Sequence, residues 1–453
     1  MRRASLRRLD GEAVTMLRRL RGSKFAAKSL AAIAIKIGAA GASFAMFVVL
    51  ARALNRSEFG YFGFAFSLAT ILSVIGSFGQ RNLVLRFASI YFDRGALSAA
   101  FAVIRRGYLL VIAGCGALGL AVGLGGAGGL PFIEAPPSVL AAAGGFTLVL
   151  GLAEFLPNPQ RAAGHVWLAL LPRDIVFRLL VIAICGLIMA GVLPRINAAQ
   201  ILWAMVAILA LLVVAQSLML RATNPFVLAR AAGDAADLPQ WRATMWGMWG
   251  NSVVNSSGRN IAIVIIGAVL PAASTGGLFA ALRTAMVLEL FLVAINIVAA
   301  PMLATRLHDN DHAQVQRICT QIGLMLGLPT LGAFLIFVFG GGQVLDLFGA
   351  GYASAHLELV VMSFGYLVSA FAGPTTQIME MAGFERKYFL MLGVTTGLSL
   401  AAIPAAAAWL GPLGAALCIC ANLVALNVWA YLFIHRKLGI WPGALRFGPA
   451  PGK

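Results

Sequence analysis

Charged residues are scarce in this sequence. Asp, Glu, Lys and Arg make up 11% of its 453 residues, whereas hydrophobic residues make up 60%. A water-soluble domain carries about 25% charged and about 45–50% apolar residues, so the composition excludes a soluble globular protein. The apolar surplus is typical of a protein whose surface faces lipid.

Acidic residues are scarcer still. The chain has 16 Asp and Glu against 34 Lys and Arg, a formal net charge of +18. A basic domain with clustered charge would indicate a nucleic-acid partner. Here the charges are dispersed over the ends of apolar segments, so no nucleic-acid partner is predicted. The pattern instead favours a cytoplasmic excess of basic residues in a membrane protein.

The sequence also lacks the cysteine and histidine spacing of a metal site. Its five cysteines lie mostly in apolar runs without a histidine at ligand spacing. No disulfide framework, metal site or cofactor is predicted. Residues 1–28 lack the apolar core of a signal peptide and are rich in Arg and Lys, which predicts a basic cytoplasmic tail.

The apolar runs predict an all-α polytopic membrane protein. A helix needs about 20 apolar residues to cross a bilayer. Runs of this kind predict about twelve transmembrane helices, near 29–51, 59–80, 107–129, 138–156, 169–191, 198–220, 243–270, 274–302, 319–341, 355–381, 388–409 and 412–435.

The loop charges predict that both termini lie in the cytoplasm. With the N-terminus inside, the cytoplasmic loops and the C-terminal tail contain most of the basic residues. These include Arg81, Arg86, Arg94, Arg105, Arg106, Arg161, Arg221, Arg230, Arg242, Arg306, Arg317, Arg386, Lys387, Arg436 and Lys437. The opposite, periplasmic face has only Arg52, Arg56 and Arg195.

The predicted helices divide into two lobes of six. The lobes span 29–220 and 243–436, joined by a cytoplasmic linker at 221–242 and followed by a tail at 437–453. The stretch VVLARALNRSEFGYFGFA at 48–65 can be laid on VIIGAVLPAASTGGLFAAL at 264–282, an offset of about 217 residues. Two parallel six-helix bundles are a transporter architecture, with the substrate site between them.

Polar and charged residues inside the predicted spans are candidates for a substrate cavity. An ionisable side chain at the bilayer centre costs about 2.5–3.5 kcal/mol on insertion scales, so it usually faces a cavity or a partner. The candidates are Lys36, Asn251, Asn255, Arg259, Arg283 and Glu289. Snorkelling of Lys36, hydrogen bonds between helices, and ion pairs with neighbouring helices are the structural alternatives.

The candidate cavity is cationic. Lys36, Arg259 and Arg283 stand against Glu289 alone. Coulomb attraction at a reduced dielectric makes such a cavity suitable for an anionic substrate such as a phosphate or pyrophosphate.

Three further charged residues fall near the ends of predicted spans. Asp174 and Arg178 have the i, i+4 spacing, acid first, that favours an ion pair. Glu154 in the fourth span is a candidate carrier of a coupling proton, because burial raises a carboxyl pKa. Interfacial placement is the alternative for Glu154, and a structural ion pair at a cytoplasmic helix entrance is the preferred interpretation of Asp174 and Arg178.

Three stretches carry a resemblance to a known family. They are FVVLARALNRSEFGYFGF at 47–64, the region 251–302, and LDLFGAGYASAHLELVVMSFGYLVSAFAGPTTQIMEMAGF at 345–384. With them the chain resembles the O-antigen and exopolysaccharide (Wzx-like) flippases of the multidrug/oligosaccharidyl-lipid/polysaccharide (MOP) exporter superfamily. That family often has an acidic residue where Asn260 stands here.

The resemblance implies a fold, a substrate and a cellular location. The fold is that of the MOP superfamily. The implied substrate is a polyprenyl-diphosphate-linked oligosaccharide, moved between the leaflets of the bacterial inner membrane for surface polysaccharide biosynthesis. Membrane lipids and other polysaccharide assembly proteins are the further partners that it implies.

Competing hypotheses remain open at this point. The first is an ion-coupled drug or metabolite exporter of the same superfamily, which predicts acids buried in the first lobe. Glu154 and Asp174 fit this prediction loosely.

A major-facilitator transporter is a second alternative, but the segment GQRNLVLRFASIYFDRG at 79–95 lacks the pattern of that class. The predicted periplasmic loops are too short for a membrane glycan polymerase and contain no histidine cluster, so no enzyme is predicted. Cations inside the membrane disfavour a passive assembly subunit.

Overall fold

The computed structural model describes residues 38–128, 135–223, 238–290, 303 and 312–445, which form helices joined by short turns. No β-strand occurs in these ranges, which confirms the predicted all-α class. Eight of the described helices are long and apolar enough to cross a membrane, and one bent helix would be a ninth. Helices satisfy their own backbone hydrogen bonds, as a lipid environment requires.

The ranges 38–128 and 135–223 alternate long apolar helices with short connecting ones. In chain order the helices are α1 (Gly38–Ala53), α2 (Arg56–Gly76), α3 (Gln80–Asp93), α4 (Leu97–Ala127), α5 (Pro137–Phe155), α6 (Pro157–Ala162), α7 (Val166–Leu171), α8 (Phe177–Met189) and α9 (Ala198–Thr223). A π-helical turn, Pro172–Val176, joins α7 to α8.

The ranges 238–290 and 312–445 contain the remaining helices. They are α10 (Leu238–Val269), α11 (Ala272–Ala285), α12 (His312–Asp346), α13 (His356–Ala372), α14 (Thr375–Met381), α15 (Glu385–Leu410) and α16 (Pro412–Leu438). Short 3₁₀ turns, Met286–Leu288 and Tyr352–Ala355, follow α11 and precede α13.

Each predicted span overlaps described helical residues, and the structure adds three local features. The polar segment after the second span contains an amphipathic helix, α3, whose Leu83, Val84 and Phe87 are buried. Pro172 interrupts the fifth span, because proline has no N–H to donate. The tenth span divides at Gly373, whose φ of 74° is accessible to glycine, so that α13 and α14 are separate helices.

The two halves touch where α2 crosses α11. A Cβ atom on Gly60 would lie 1.8 Å from the Ala272 carbonyl oxygen, and one on Gly276 would lie 2.4 Å from the Arg56 carbonyl oxygen. Only glycine lets the two backbones approach this closely. Glycine therefore determines how near the halves can come.

This contact agrees with the predicted repeat. Arg56 Nε donates to the Ala273 carbonyl at 2.9 Å, and the two residues are 217 positions apart. That separation equals the offset between the similar stretches. Residues related by a two-fold axis meet one another near the axis, as expected for parallel repeats. The lobe boundaries at 220 and 243 stay a prediction; α9 ends at Thr223 and α10 begins at Leu238.

A methyl group at the crossing should destabilise the protein. We expect Gly60→Ala to cost about 1–3 kcal/mol, because the added Cβ must push the α11 backbone away. The matched control is Gly186→Ala, since Gly186 on α8 has no atom near its Cβ position. Thermal unfolding of the purified protein in detergent checks this: Gly60→Ala should unfold several degrees lower than the control. Equal melting temperatures would contradict the steric argument.

Candidate functional site

An ion pair joins α10 to Glu289, which follows the 3₁₀ turn after α11. Arg259 Nη1 lies 2.9 Å and 3.0 Å from the two carboxylate oxygens of Glu289. The side chains are 45% and 31% exposed, and the buried Tyr366 of α13 lies close to both. Charges this accessible inside an apolar bundle require water. The pair therefore lies where α10, the turn after α11, and α13 meet.

A second cation, Arg283 of α11, lies among aromatic rings. Its guanidinium carbon is 4.5 Å from the ring centroid of Phe47, 4.6 Å from that of Phe279 and 5.6 Å from that of Phe66. Its Nη1 is 3.8 Å from the Met286 sulfur, and its buried Nε has no hydrogen-bond partner. Cation–π attraction holds a charge in such a position. No carboxylate within the described ranges forms a salt bridge with Arg283.

These three charged groups form one site. The Arg259 charge lies near enough to the Arg283 charge to repel it. Two cations and one carboxylate leave one positive charge among the described residues of the site. The structure thus brings together Arg259, Arg283 and Glu289, three of the six residues predicted for a cavity.

The other predicted cavity residues are less well placed or not described. Lys36 lies outside the described residues, and so does the side chain of Asn255. Asn251 lines an opening of about 700 Å³ near Trp246 and Tyr388. A bend of 54° between Pro239–Val254 and Gly258–Val269 separates it from Arg259. Gly and Ser residues at the bend explain the kink, which breaks the predicted polar face.

In the first half, Glu154 lies between two arginines. Arg173 Nη2 is 2.5 Å from Glu154 Oε1, and Arg81 Nη1 pairs with Glu154 Oε2. Arg81 also donates to the Ser73 hydroxyl at 3.2 Å. Burial lowers the pKa of the Arg81 guanidinium, while the Glu154 carboxylate acts in the opposite direction. Glu154 is therefore engaged in a cluster, and a role in proton coupling stays a prediction.

Neither partner of Glu154 was predicted from the sequence. Arg81 follows the second predicted span and Arg173 precedes most of the fifth, while Glu154 ends the fourth. All three are therefore at the predicted cytoplasmic ends of their spans. The positive-inside rule, from which the topology is predicted, places all three residues at the same depth in the membrane.

Arg178 binds the backbone. Its Nη1 donates to the main-chain carbonyls of Asp174 and, at 2.9 Å, Ala39. The Asp174 carboxylate lies 4.0 Å from Arg173. The π-helical turn over Pro172–Val176 changes the spacing that an α-helix would give Asp174 and Arg178. A pair between their charged groups stays a prediction.

Arginines also bridge the halves on the predicted periplasmic face. Arg52 Nε donates to the Leu347 carbonyl at 2.6 Å, and Arg56 Nη1 donates to the Gly351 carbonyl at 3.0 Å. Both acceptors follow the end of α12, where carbonyls lack helical partners and carry partial negative charge. A groove of about 800 Å³ that includes Arg52 lies alongside.

A separate contact joins the halves on the predicted cytoplasmic side. Trp249 Nε1 of α10 donates to the Ile75 carbonyl of α2 at 2.8 Å. A Cβ on Gly79, whose φ is +68°, would lie 2.7 Å from the Trp249 nitrogen. Asn82 donates to the Ser252 hydroxyl at 3.3 Å. The first part of α10 therefore rests on the turn between α2 and α3.

Comparison with solved structures identifies the fold. An inward-facing multidrug resistance MATE family transporter of the MOP superfamily superposes with a TM-score of 0.68 at 11% identity, covering 88% of this chain and 94% of that one. The lipid II flippase MurJ in an inward closed conformation gives 0.62 at 13% identity, covering 88% and 86%. An outward-facing MATE transporter gives 0.54 at 12% identity, covering 89% and 93%.

The chain therefore has the fold of MOP superfamily transporters, as the sequence resemblance implied. No protein-family model and no curated protein matches the sequence.

Removing the Glu154 charge should destabilise the first half. Glu154→Gln leaves Arg81 and Arg173 without their carboxylate, and breaking a fully buried pair costs about 3–5 kcal/mol. Because the Arg173 side chain is 32% exposed, we expect roughly 1–3 kcal/mol. Thermal unfolding in detergent measures it, with the exposed Glu385→Gln as control. The double variant Arg81→Gln/Glu154→Gln should recover part of the loss, and a strictly additive loss would contradict the pairing.

Proposed function

We propose that this protein is a flippase that moves a polyprenyl-diphosphate-linked oligosaccharide across the bacterial inner membrane by alternating access. The observation that carries the proposal is Arg283, a cation without a carboxylate partner among the described residues, beside the Arg259–Glu289 pair. The MOP fold, which the lipid II flippase MurJ shares, supports it.

A diphosphate suits this arrangement of charges. Guanidinium groups bind phosphate oxygens through paired hydrogen bonds, which are stronger at a reduced dielectric. Arg283 offers a charge that no acid among the described residues neutralises. Arg259 offers a second one once the substrate displaces Glu289. A linked diphosphate group can then bind both arginines, whereas a neutral or cationic molecule gains nothing from them.

The contacts between the halves supply two gates for alternating access. The α2–α11 crossing with Arg52 and Arg56 closes the predicted periplasmic side, and Trp249 against Ile75 closes the cytoplasmic side. In the transport cycle these contacts break in turn. The higher TM-score with the inward-facing than with the outward-facing transporter, 0.68 against 0.54, supports a state in which the periplasmic gate is shut.

The remaining predicted cavity residues belong to this proposal. Lys36, Asn251 and Asn255 stay predicted members of the substrate cavity. The sugar part of the substrate offers many hydroxyl groups that amide side chains can bind. Polysaccharide assembly proteins, which supply and consume such a lipid-linked glycan, are the proposed partners.

An ion-coupled exporter is the second candidate. The inward-facing multidrug transporter with a TM-score of 0.68 favours it. Such coupling uses a carboxylate that binds and releases a cation. Glu154 is held by Arg81 and Arg173, and Glu289 is held by Arg259. Because these acids already have cationic partners, we rank the exporter second.

Deletion of the gene should cause lipid-linked oligosaccharide to accumulate while surface polysaccharide is lost. Mass spectrometry of lipid extracts measures the first and a surface-glycan assay the second. Wild type should restore export. Arg283→Ala and Arg259→Ala should lower restored export by roughly 10- to 100-fold, because each loses a charge-assisted hydrogen bond to the diphosphate.

Two kinds of control accompany this experiment. Arg94→Ala removes an exposed arginine at the predicted cytoplasmic surface and should restore export like wild type. Arg283→Lys should restore export in part, since it keeps the charge without the guanidinium fork. Unchanged lipid intermediates in the deletion strain, together with altered resistance to toxic small molecules, would overturn the flippase and favour the exporter.

A further inference from the structure

We propose that Phe47, Phe66 and Phe279 form an aromatic cage that keeps Arg283 charged without an acid, and that the cage binds the substrate's anionic group tightly only while the halves are in contact. This inference rests on the proposed function, since it assigns how the same site holds and releases its anion.

The rings of the cage hold a cation in a different way from a carboxylate. Aromatic ring faces attract a cation without accepting its hydrogen bonds in the way that a carboxylate does. Three rings lie within 4.5–5.6 Å of the Arg283 guanidinium carbon. A carboxylate in their place would occupy the N–H groups, as Glu289 does at Arg259. The rings therefore stabilise the charge and leave N–H groups for an anion.

Arg283 has an unsatisfied hydrogen-bond donor. Arg283 Nε is buried and makes no hydrogen bond, and Nη1 meets only the weakly accepting Met286 sulfur at 3.8 Å. A buried donor without an acceptor is unfavourable. An incoming phosphate oxygen removes that cost, which adds to the Coulomb attraction.

The three rings come from both halves of the protein. Phe279 and Arg283 belong to α11, whereas Phe47 and Phe66 belong to α1 and α2 of the opposite half. When the halves separate, Arg283 loses two of its three rings. The caged and open states thus differ in their affinity for an anion. By linkage, a bound anion favours the closed contact, and opening favours release.

The aromatic cluster also contains a matched control. Phe62 packs against Phe47 and Phe66, with ring centroids 6.4 Å and 5.7 Å away, and is fully buried. Its ring makes no cation–π contact with Arg283 in the described structure. A change at Phe62 therefore disturbs the same packing without removing a ring from the cage.

The test measures binding of inorganic pyrophosphate to the full-length protein in lipid nanodiscs by calorimetry. We expect Phe47→Met and Phe66→Met to weaken binding about two- to tenfold each, because methionine fills the space without a ring. Phe62→Met should bind like wild type. Phe66→Tyr keeps an aromatic ring, so its affinity for pyrophosphate should stay within about twofold of wild type. If Phe66 only fills space, Phe66→Met and Phe66→Tyr should bind pyrophosphate equally well.

A second measurement tests the linkage. Spin labels at Arg195→Cys and Ser354→Cys, exposed positions in opposite halves on the predicted periplasmic face, report their separation in a background without the native cysteines. Pyrophosphate should increase the short-distance population in wild type and in Phe62→Met. The increase should be absent in Phe47→Met and Phe66→Met.

Each failure has its own meaning. No pyrophosphate binding by wild type, or equal weakening by Phe62→Met and Phe47→Met, would overturn the cage. So would a distance distribution that pyrophosphate leaves unchanged in wild type. If the cage variants behave as expected but the deletion strain accumulates no lipid-linked glycan, the cage stands and the flippase assignment is wrong. If glycan accumulates while the cage variants behave like Phe62→Met, the flippase stands and the cage is wrong.

Discussion

The steric fit of α2 against α11 determines where the charges of the site can lie. Gly60 and Gly276 let the two backbones touch. Gly276 and Arg283 are seven residues apart, so they share one face of α11. The face that makes the contact therefore also points its arginine at the opposite half, where Phe47 and Phe66 surround it. A larger residue at either glycine would move the cation away from its rings.

Around that contact, the cost of burying charge explains how each ionisable group is accommodated. Glu154 shares two arginines near the predicted cytoplasmic surface. Arg259 has a carboxylate and access to water. Arg283 has only rings and a sulfur atom, so its charge is the least compensated of those in the described interior. An uncompensated buried charge is expensive, and proteins keep one where function uses it.

The all-α class could be predicted from composition and apolar runs, because a chain in lipid must satisfy its own backbone hydrogen bonds. Arg259, Arg283 and Glu289 were found because ionisable residues are rare in apolar runs. The aromatic cage was not, since Phe47 and Phe66 look like any phenylalanine in a lipid-facing helix. The bend that separates Asn251 from Arg259, and the π-helical turn at Asp174, depend on backbone geometry that residue periodicity does not record.

In the proposed transport cycle the protein must return empty as well as loaded, and Glu289 would give it a way to do so. In the proposed cycle the diphosphate replaces Glu289 at Arg259, and the carboxylate returns when the substrate leaves. Among the described residues of the site, the empty protein then carries one uncompensated cation rather than two. A ligand shifts a conformational equilibrium only by its difference in affinity for the two states. Glu289 lies on the same half as Arg259, so their ion pair is the same in both conformational states. The difference in anion affinity between the two states therefore comes from the proposed cage, whose rings belong to both halves.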